Sequence, residues 1–401
     1  MDIISRLEYA NKVDSWLGKG QIIVLVGQRR VGKSYVMKDF IARHKNDENA
    51  NIVYIDKEKK DFNFIHTSEQ LNAYINKHWN SDCHNYILID EVQDIEGWEH
   101  SVRSYRTEEN TDIIITGSNS KMLSGELSTL LSGRYQEIRI LPLSYTEFLQ
   151  FHNLEDSEDA LWLYLNYGGL PGLRNVGLGN EDMVNDYLSG VFHTIMLKDV
   201  IERHTIRNVV FLNNLIAFMA DTVGKLNSAS SIAKYMKSQQ MEVSTNVVLN
   251  YMSYFSEAFL IYQVGRFDLH GKKLLENNEK CYFGDVGLRN WIIGGERNQD
   301  MEKILENVVY LHLLRLGYTV QVGQLRIGEI DFVCTKTNQK VYVQVAYLVS
   351  NEETMKREFG NLRSIADDYP KYVISATPLL KRSDVEGITH LHIREFLKNG
   401  L

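Results

Sequence analysis

The chain has 401 residues, of which 44% are hydrophobic and 24% are charged, and its formal net charge at pH 7 is −8. This composition indicates a globular protein of two to four domains, and its apolar runs are far shorter than the ~18 residues of a membrane-spanning helix. The acidic balance argues against a protein that coats nucleic acid through bulk charge, although it leaves a local basic patch open.

The start of the chain and its cysteines both indicate a cytoplasmic protein. Charged residues appear from position 2 onward, so we expect no secretory signal peptide. Cys83, Cys281 and Cys334 are far apart and odd in number, which fits neither a zinc-ligand spacing nor a disulfide framework. We therefore expect a cytoplasmic protein with no membrane partner.

The first motif lies between a predicted strand and a predicted helix. Ile22–Val26 is a β-branched run typical of a buried parallel strand, and the apolar spacing of SYVMKDFIARH predicts a helix soon after it. Between them stands GQRRVGKS, which matches the phosphate-binding pattern G-x-x-x-x-G-K-[ST]. The residues that we expect to bind nucleotide are Gly27, Gln28, Arg29, Arg30, Val31, Gly32, Lys33 and Ser34.

The chemistry of phosphate binding gives each part of this loop a role. Gly27 and Gly32 let backbone N–H groups approach phosphates without a Cβ clash. We expect Lys33 to reach the β- and γ-phosphates of ATP and Ser34 to coordinate Mg²⁺. The alternative is a glycine-rich turn with a surface lysine, and the flanking strand and helix argue against it.

A second predicted strand ends in two acids. HNYILIDEVQDIEGWE places the strand at Tyr86–Ile89 and the acids at Asp90 and Glu91. We expect Asp90 to hold Mg²⁺ and Glu91 to orient and deprotonate the attacking water. The alternative is that both acids belong to the first turn of a helix, where the helix dipole favours them.

Two further catalytic candidates follow a third predicted strand, Asp112–Thr116. Asn119, with Ser118 beside it, can hold the attacking water or the γ-phosphate, unless both are plain turn residues. Arg134 follows a glycine and precedes another strand. It is either an arginine that reaches a neighbouring subunit's γ-phosphate or a solvated arginine at a strand edge.

Two stretches resemble a known family. TGSNSKMLSGELSTLLSGRYQEIRILPLSYTEFL and, further on, YGGLPGL are similar to a widespread group of bacterial and archaeal ATPases. These proteins pair an AAA-type P-loop domain with a C-terminal domain of unknown function. The resemblance covers nearly the whole chain and implies an AAA-like core that uses Lys33, Ser34, Asp90, Glu91 and Ser118–Asn119. It implies no substrate.

After about residue 150 the pattern becomes helical. Apolar residues at i, i+3, i+4, i+7 and i+8 predict one buried helix face, formed by Leu188, Val191, Phe192, Ile195 and Met196. The GGLPG segment at 168–172 interrupts the helical pattern, either as a tight interhelical turn or as a nucleotide sensor. We expect a helical lid beside the nucleotide.

From Asn227 the order helix, turn, helix and β-ribbon predicts a winged helix. If this module binds DNA, its second helix faces the groove and its ribbon contacts phosphates. If it does not, it is a protein-binding or lid module, which the low basic content of the second helix favours. The candidate DNA-contacting residues are Thr245, Asn246, Asn250, Arg266, Lys272 and Lys273.

The last hundred residues show an α-β-β-β-α-β order that resembles the restriction-endonuclease core. Such nucleases bind Mg²⁺ with an acid on the helix, an Asp on the second strand and E-x-K on the third. Glu306 and Asp331 occupy the first two positions, but the third motif is Gln344–Val345–Ala346. We therefore expect an inactive scaffold that binds a partner or nucleic acid.

These observations predict an α/β protein with four regions: an AAA-like P-loop ATPase domain (1–150), a helical lid (151–225), a winged helix (226–295) and a restriction-endonuclease-like α/β domain (296–401). The leading hypothesis is an ATPase whose nucleotide state repositions the C-terminal half, with DNA, a protein or a second copy of the chain as partner. The alternatives are a nucleotide-gated DNA-binding regulator and a metal-dependent nuclease.

Overall fold

The computed structural model describes residues 3–120, 131, 133–294, 300–326, 328–349, 352–378 and 380–401, and only the backbone of Lys273 and of residues 275–277. The chain divides into two compact units. The first contains Met1–Ile140 and Glu257–Phe259, and the second contains Leu141–Ser256 and Leu260–Leu401. The boundary predicted after residue 150 thus lies shortly beyond the end of the first unit.

A parallel sheet forms the centre of the first unit. In the described ranges its strands follow the order β2-β3-β4-β1-β5, and every neighbouring pair is parallel. Because all strands point the same way, their carboxyl ends meet at one edge of the sheet. The strands are β1 (Ile22–Val26), β2 (Ala50–Asp56), β3 (His84–Asp90), β4 (Thr111–Gly117) and β5 (Tyr135–Arg139).

Helices connect these strands, as a parallel sheet requires. The helix after the P-loop begins at Lys33 and buries Val36, Met37 and Phe40, three of the apolar residues that predicted it. A capping box of Thr67 and Gln70 fixes the start of the next long helix. In the described part of this unit the α-helices are α1 (Leu7–Asp14), α2 (Lys33–His44), α3 (Ser68–His78) and α4 (Trp98–Tyr105).

The second unit begins with helices, as the sequence predicts. The predicted apolar face runs through α8 into a π-helical turn at Ile195–Glu202, and its five residues are all buried. The GGLPG segment lies between α6 and α7, where Gly169 N–H donates to the Asp285 carboxylate at 2.8 Å. These helices are α5 (Tyr145–His152), α6 (Glu158–Tyr167), α7 (Leu173–Val176), α8 (Glu181–Thr194) and α9 (Val209–Asp221).

The two helices and the β-ribbon predicted after Asn227 are present in that order: α10 (Ala229–Ser238), α11 (Thr245–Glu257), and the antiparallel strands β6 (Ile261–Asp268) and β7 (Lys273–Phe283). This ribbon does not stand alone. β6 also pairs in parallel with β8 (Thr319–Gln324), so the ribbon forms one edge of a larger sheet. The predicted boundary at residue 295 therefore lies between helices of one compact unit, not between two separate sheets.

That larger sheet is mixed and has the order β12-β13-β11-β10-β9-β8-β6-β7 within the described part of the chain. The predicted α-β-β-β-α-β run is present in it. The remaining elements are α12 (Val286–Ile293), α13 (Met301–Arg315), β9 (Glu329–Lys336), β10 (Gln339–Ala346), α14 (Glu352–Arg363), β11 (Lys371–Ser375), β12 (Arg382–Val385), β13 (Ile388–His392) and α15 (Ile393–Asn399).

Both units have extensive apolar cores. In the first, all five residues of β1 are buried; in the second, Ile330, Tyr342 and Phe359 belong to a buried cluster on the large sheet. Within the described ranges, every helix is too short or too polar to span a lipid bilayer. Cys83, Cys281 and Cys334 are free thiols.

Candidate functional site

The P-loop lies at the carboxyl edge of the first sheet, between β1 and the N-terminus of α2. Side-chain N–H groups donate hydrogen bonds to the backbone carbonyls of three of its residues. The Lys33 ammonium donates to the carbonyls of Gly27 and Gln28 at 3.0 and 3.2 Å, and the Arg6 guanidinium donates to Val31 at 3.1 Å. The loop is thus held in a curled conformation at a helix N-terminus, which is a favourable position for anionic phosphate.

Gly27 is required by sterics at the start of this loop. Its φ is 150°, and a Cβ built on it would lie 2.3 Å from the carbonyl oxygen of Ile140. The Ile140 N–H in turn donates to the Val26 carbonyl at 2.7 Å. The last residue of the first unit's main segment therefore contacts the first residue of the P-loop directly.

Asp90 occupies the end of β3, and neutral hydroxyl groups surround its carboxylate. The Thr116 hydroxyl donates to Asp90 Oδ1 at 2.6 Å, and the Ser34 hydroxyl also hydrogen-bonds to it. Burial raises the pKa of Asp90, and these two hydrogen bonds oppose part of the rise. The structure thus brings together Ser34 and Asp90, the two predicted metal ligands.

Glu91 follows directly, in a left-handed conformation with φ 55°. Its backbone N–H donates to the Thr116 hydroxyl at 2.8 Å, and its buried side chain accepts a 2.5 Å hydrogen bond from the Gln93 amide. A non-glycine residue adopts this backbone conformation only when its surroundings fix it. Thr116 therefore positions both acids, Asp90 by its proton and Glu91 by its lone pair.

A third acid, Asp56, lies at this edge and is not among the site residues predicted from the sequence. It ends β2, lies opposite Asp90 in the parallel register and is 5% exposed. The Tyr54 hydroxyl donates to Asp56 at 3.2 Å and also hydrogen-bonds to Asp90; burial, together with these two carboxylates, raises the pKa of Tyr54. A signal was available, because IVYID in β2 and YILID in β3 both end an apolar strand with Ile-Asp.

The other predicted residues of the first unit fall into two groups. Ser118 and Asn119 are buried directly after β4, at the same edge as the P-loop. Arg134 is exposed and precedes β5, where its carbonyl accepts from Ile22 N–H at the start of β1. Because β1 and β5 are parallel, Arg134 lies at the edge opposite the P-loop, and the structure does not bring it to this site.

The four residues between Gly27 and Gly32 of the P-loop differ in their surroundings. Gln28 is 2% exposed, yet neither its amide nitrogen nor its amide oxygen makes a hydrogen bond with any group that the structure describes. Arg29 lies 3.7 Å from Glu58, Arg30 is exposed with φ 71°, and Val31 is buried.

Much of the stretch on which the family resemblance rests, residues 121–130 and 132, lies outside the described residues.

The candidate DNA-contacting residues are only partly available. Thr245, Asn246, Asn250 and Lys272 are exposed. Arg266, however, donates to the Gln324 side chain at 2.5 Å within the large sheet. The side chain of Lys273 lies outside the described residues.

Two family models match the chain: one described as an AAA domain at residues 19–149, and one described as a domain of unknown function at residues 158–299. An uncharacterized protein of Haemophilus influenzae is 36% identical over 403 residues, 98% of each chain. An uncharacterized protein of Methanocaldococcus jannaschii is 31% identical over 89% of this chain and 82% of its own. The Walker-type ATPase of Pyrococcus abyssi has the same fold at 17% identity, with a TM-score of 0.50 over 73% of this chain and 96% of its own.

Proposed function

This chain belongs to the family of proteins that join an AAA domain to a C-terminal domain of unknown function, and we propose that it binds and hydrolyses ATP and that the nucleotide state repositions its second unit. The observation that carries the proposal is the convergence of the P-loop with Ser34, Asp90 and Glu91 at one sheet edge.

The residues present fit ATP with Mg²⁺. Mg²⁺ prefers hard oxygen ligands, and the adjacent Ser34 hydroxyl and Asp90 carboxylate are of that kind. When bound, Mg²⁺ neutralises charge that develops on the phosphate oxygens. Ser34 and Asp90 would hold it, while Lys33 would exchange the carbonyls of Gly27 and Gln28 for phosphate oxygens.

Glu91 serves as the general base. Its carboxylate orients a water molecule and accepts its proton, and Thr116 fixes the backbone from which it projects. Asn119 holds the same water or the γ-phosphate from the end of β4. Asp56, next to Asp90, adds a carboxylate at this edge, where it also lies 3.7 Å from the Lys59 ammonium.

The route to the second unit begins at Ile140. Its backbone is hydrogen-bonded to Val26 and touches Gly27, and the chain enters the second unit at the next residue. A change in the P-loop on loss of the γ-phosphate would therefore act on a residue that leads directly into the second unit.

Steady-state ATP hydrolysis by wild type, Glu91→Gln and Glu96→Gln tests the proposed chemistry. We expect Glu91→Gln to lower kcat by about 10²–10⁴-fold while retaining ATP binding, since it removes the base and not the phosphate contacts. Glu96→Gln makes the same change at an exposed position and should match wild type. Full turnover by both Glu91→Gln and Lys33→Ala would refute the proposal.

A second candidate function is a nucleotide-gated DNA-binding regulator, which the exposed polar face of α11 and Lys272 favour. The same assay with single- and double-stranded DNA distinguishes the two. Stimulation by DNA that falls steeply with salt would identify DNA as the partner. Turnover that needs Glu91 but ignores DNA would favour a protein partner instead.

Arg134 contributes to catalysis only across a subunit interface. Its place at the opposite edge of the sheet leaves a neighbouring copy's nucleotide as its target, so this role requires a homo-oligomer. Mixing Arg134→Ala with Lys33→Ala tests the role in trans, because restored turnover requires sites shared between copies.

A cytoplasmic location agrees with the three free thiols.

A further inference from the structure

The second unit contains a lysine that is enclosed by carboxylates. The side chain of Lys280, on β7, is 1% exposed. Its ammonium lies 2.9 Å from Glu306 on α13, 2.9 Å from Glu329 and 3.1 Å from Asp331, both on β9. Three carboxylates from two other elements therefore converge on one buried cation.

Further hydrogen bonds hold two of these carboxylates in place. The Tyr282 hydroxyl donates to Glu306 at 2.6 Å, and Asp331 Oδ2 accepts from Val345 N–H at 3.0 Å. Gln344 accepts from the Asp331 N–H and donates to Glu358 at 3.2 Å. Gln344, where a metal-binding acid was expected, is thus part of a fixed hydrogen-bond network.

The space between the three carboxylates is filled by one cation. Burial lowers the pKa of Lys280, but Glu306, Asp331 and Glu329 outweigh this effect and raise it well above its usual range. A divalent ion at the point where the carboxylates converge would overlap the ammonium nitrogen, so the two cannot be bound there together.

We propose that Lys280 is the built-in cation of this carboxylate cluster, and that the cluster binds a divalent metal ion only when the ammonium is removed. The ammonium occupies the position where the three carboxylates converge. Metal–oxygen distances are about 2.0–2.6 Å, so each carboxylate oxygen would move inward by less than about 1 Å. Glu329, whose side chain is 37% exposed, gives the cluster access to solvent.

The position of Lys280 also argues against the nuclease hypothesis. Within the described residues, no group of three or more His, Cys, Asp or Glu side chains is arranged to hold a metal ion. Because the Lys280 ammonium lies where the three carboxylates converge, Mg²⁺ is not held there to activate water. The wild-type second unit should therefore cleave neither DNA nor RNA with Mg²⁺ or Mn²⁺.

Equilibrium dialysis with Mn²⁺ on the nucleotide-free full chain tests this inference. The variants are Lys280→Met, Lys280→Met/Asp331→Asn, Asp331→Asn alone, and the control Lys303→Met, which removes a lysine that bridges Asp221 and Asp300 elsewhere in the unit. Any Mn²⁺ bound by the first unit is common to all of them and is subtracted. We expect one additional Mn²⁺ per chain in Lys280→Met only.

The outcomes separate clearly. An additional Mn²⁺ that appears in Lys280→Met and is lost on adding Asp331→Asn supports the proposal. A folded Lys280→Met that binds no more Mn²⁺ than wild type overturns it. If Lys280→Met does not fold, wild type and Asp331→Asn decide: equal Mn²⁺ binding supports a metal-free cluster, and binding lost with Asp331→Asn overturns it.

Discussion

The two units contain carboxylate clusters of opposite design. In the first, neutral donors such as Thr116 hold Asp90 and Glu91, and Lys33 is directed to the P-loop carbonyls. In the second, Glu306 and Asp331 surround the ammonium of Lys280. The first arrangement leaves negative charge available to an external cation, whereas in the second an ammonium already occupies the space between the carboxylates.

Because of this difference, the first cluster is suited to binding a metal ion and the second to stabilising the fold. A carboxylate cluster without its own cation has a strong electrostatic reason to bind Mg²⁺ with a phosphate ligand. A cluster with a buried ammonium instead joins β7, β9 and α13 and stabilises one arrangement of the sheet. Acids at a strand end are therefore insufficient evidence for catalysis until the cation beside them is known.

The largest expected effect is on the stability of the second unit. Lys280→Met leaves buried carboxylates without a counter-charge, so we expect the free energy of unfolding to fall by about 3–5 kcal/mol. Lys303→Met breaks partly exposed ion pairs and should lose about 1 kcal/mol or less. Urea unfolding measures both. Equal losses would show that Lys280 is not the internal counter-charge.

Acid should affect the second unit through a buried histidine. Burial lowers the pKa of His312 to about 3, and its Nε2 has no hydrogen-bond partner among the described residues. As pH falls below ~6.5, His312 binds a proton in the unfolded chain but stays neutral in the folded chain. Its contribution to stability is therefore complete above pH ~6.5 and falls by about 1.4 kcal/mol per pH unit as pH decreases towards 3.

Urea unfolding at pH 7, 6 and 5 tests this expectation with His312→Leu, which should lose that part of the pH dependence. His100→Leu, at an exposed position of the first unit, is the control and should keep the wild-type slope. A wild-type slope in His312→Leu would mean that His312 does not account for acid sensitivity.

The sequence predicted those features that are formed by residues close together in the chain. The P-loop, the acids after β3 and the order of elements near the C-terminus all come from local patterns, and the structure contains each of them. Asp56 and Thr116 could not be assigned in this way, because their proximity to Asp90 depends on the order of strands in the sheet.

Lys280 is a second example of a residue whose role depends on contacts between distant parts of the chain. The nuclease pattern places a lysine at position 346, where the chain has alanine, so the sequence indicated that no lysine was present. A lysine reaches the cluster from β7, because β6 and β7 join the large sheet instead of forming a separate ribbon. Contacts between residues 51 positions apart, such as Lys280 and Asp331, lie outside any short motif.

A smaller effect should follow from removing one neutral donor in the first unit. Thr116→Val keeps the side-chain shape but removes the hydrogen bond to Asp90 and the acceptor for Glu91 N–H, so we expect a loss of about 1–2 kcal/mol in stability. Turnover should fall with it, and Thr116→Ser should restore both. Thermal unfolding and ATPase assays measure this, and a Thr116→Val variant with wild-type turnover would remove Thr116 from the site.

The central claim is that nucleotide chemistry in the first unit changes the second unit. Hydrogen–deuterium exchange on the Glu91→Gln variant, with ATP and with ADP, tests it most directly. We predict that the two nucleotides give different exchange at the P-loop, at Ile140 and in the second unit beyond it. Differences confined to residues before Ile140 would contradict the claim and leave an ATPase whose second unit does not respond to nucleotide.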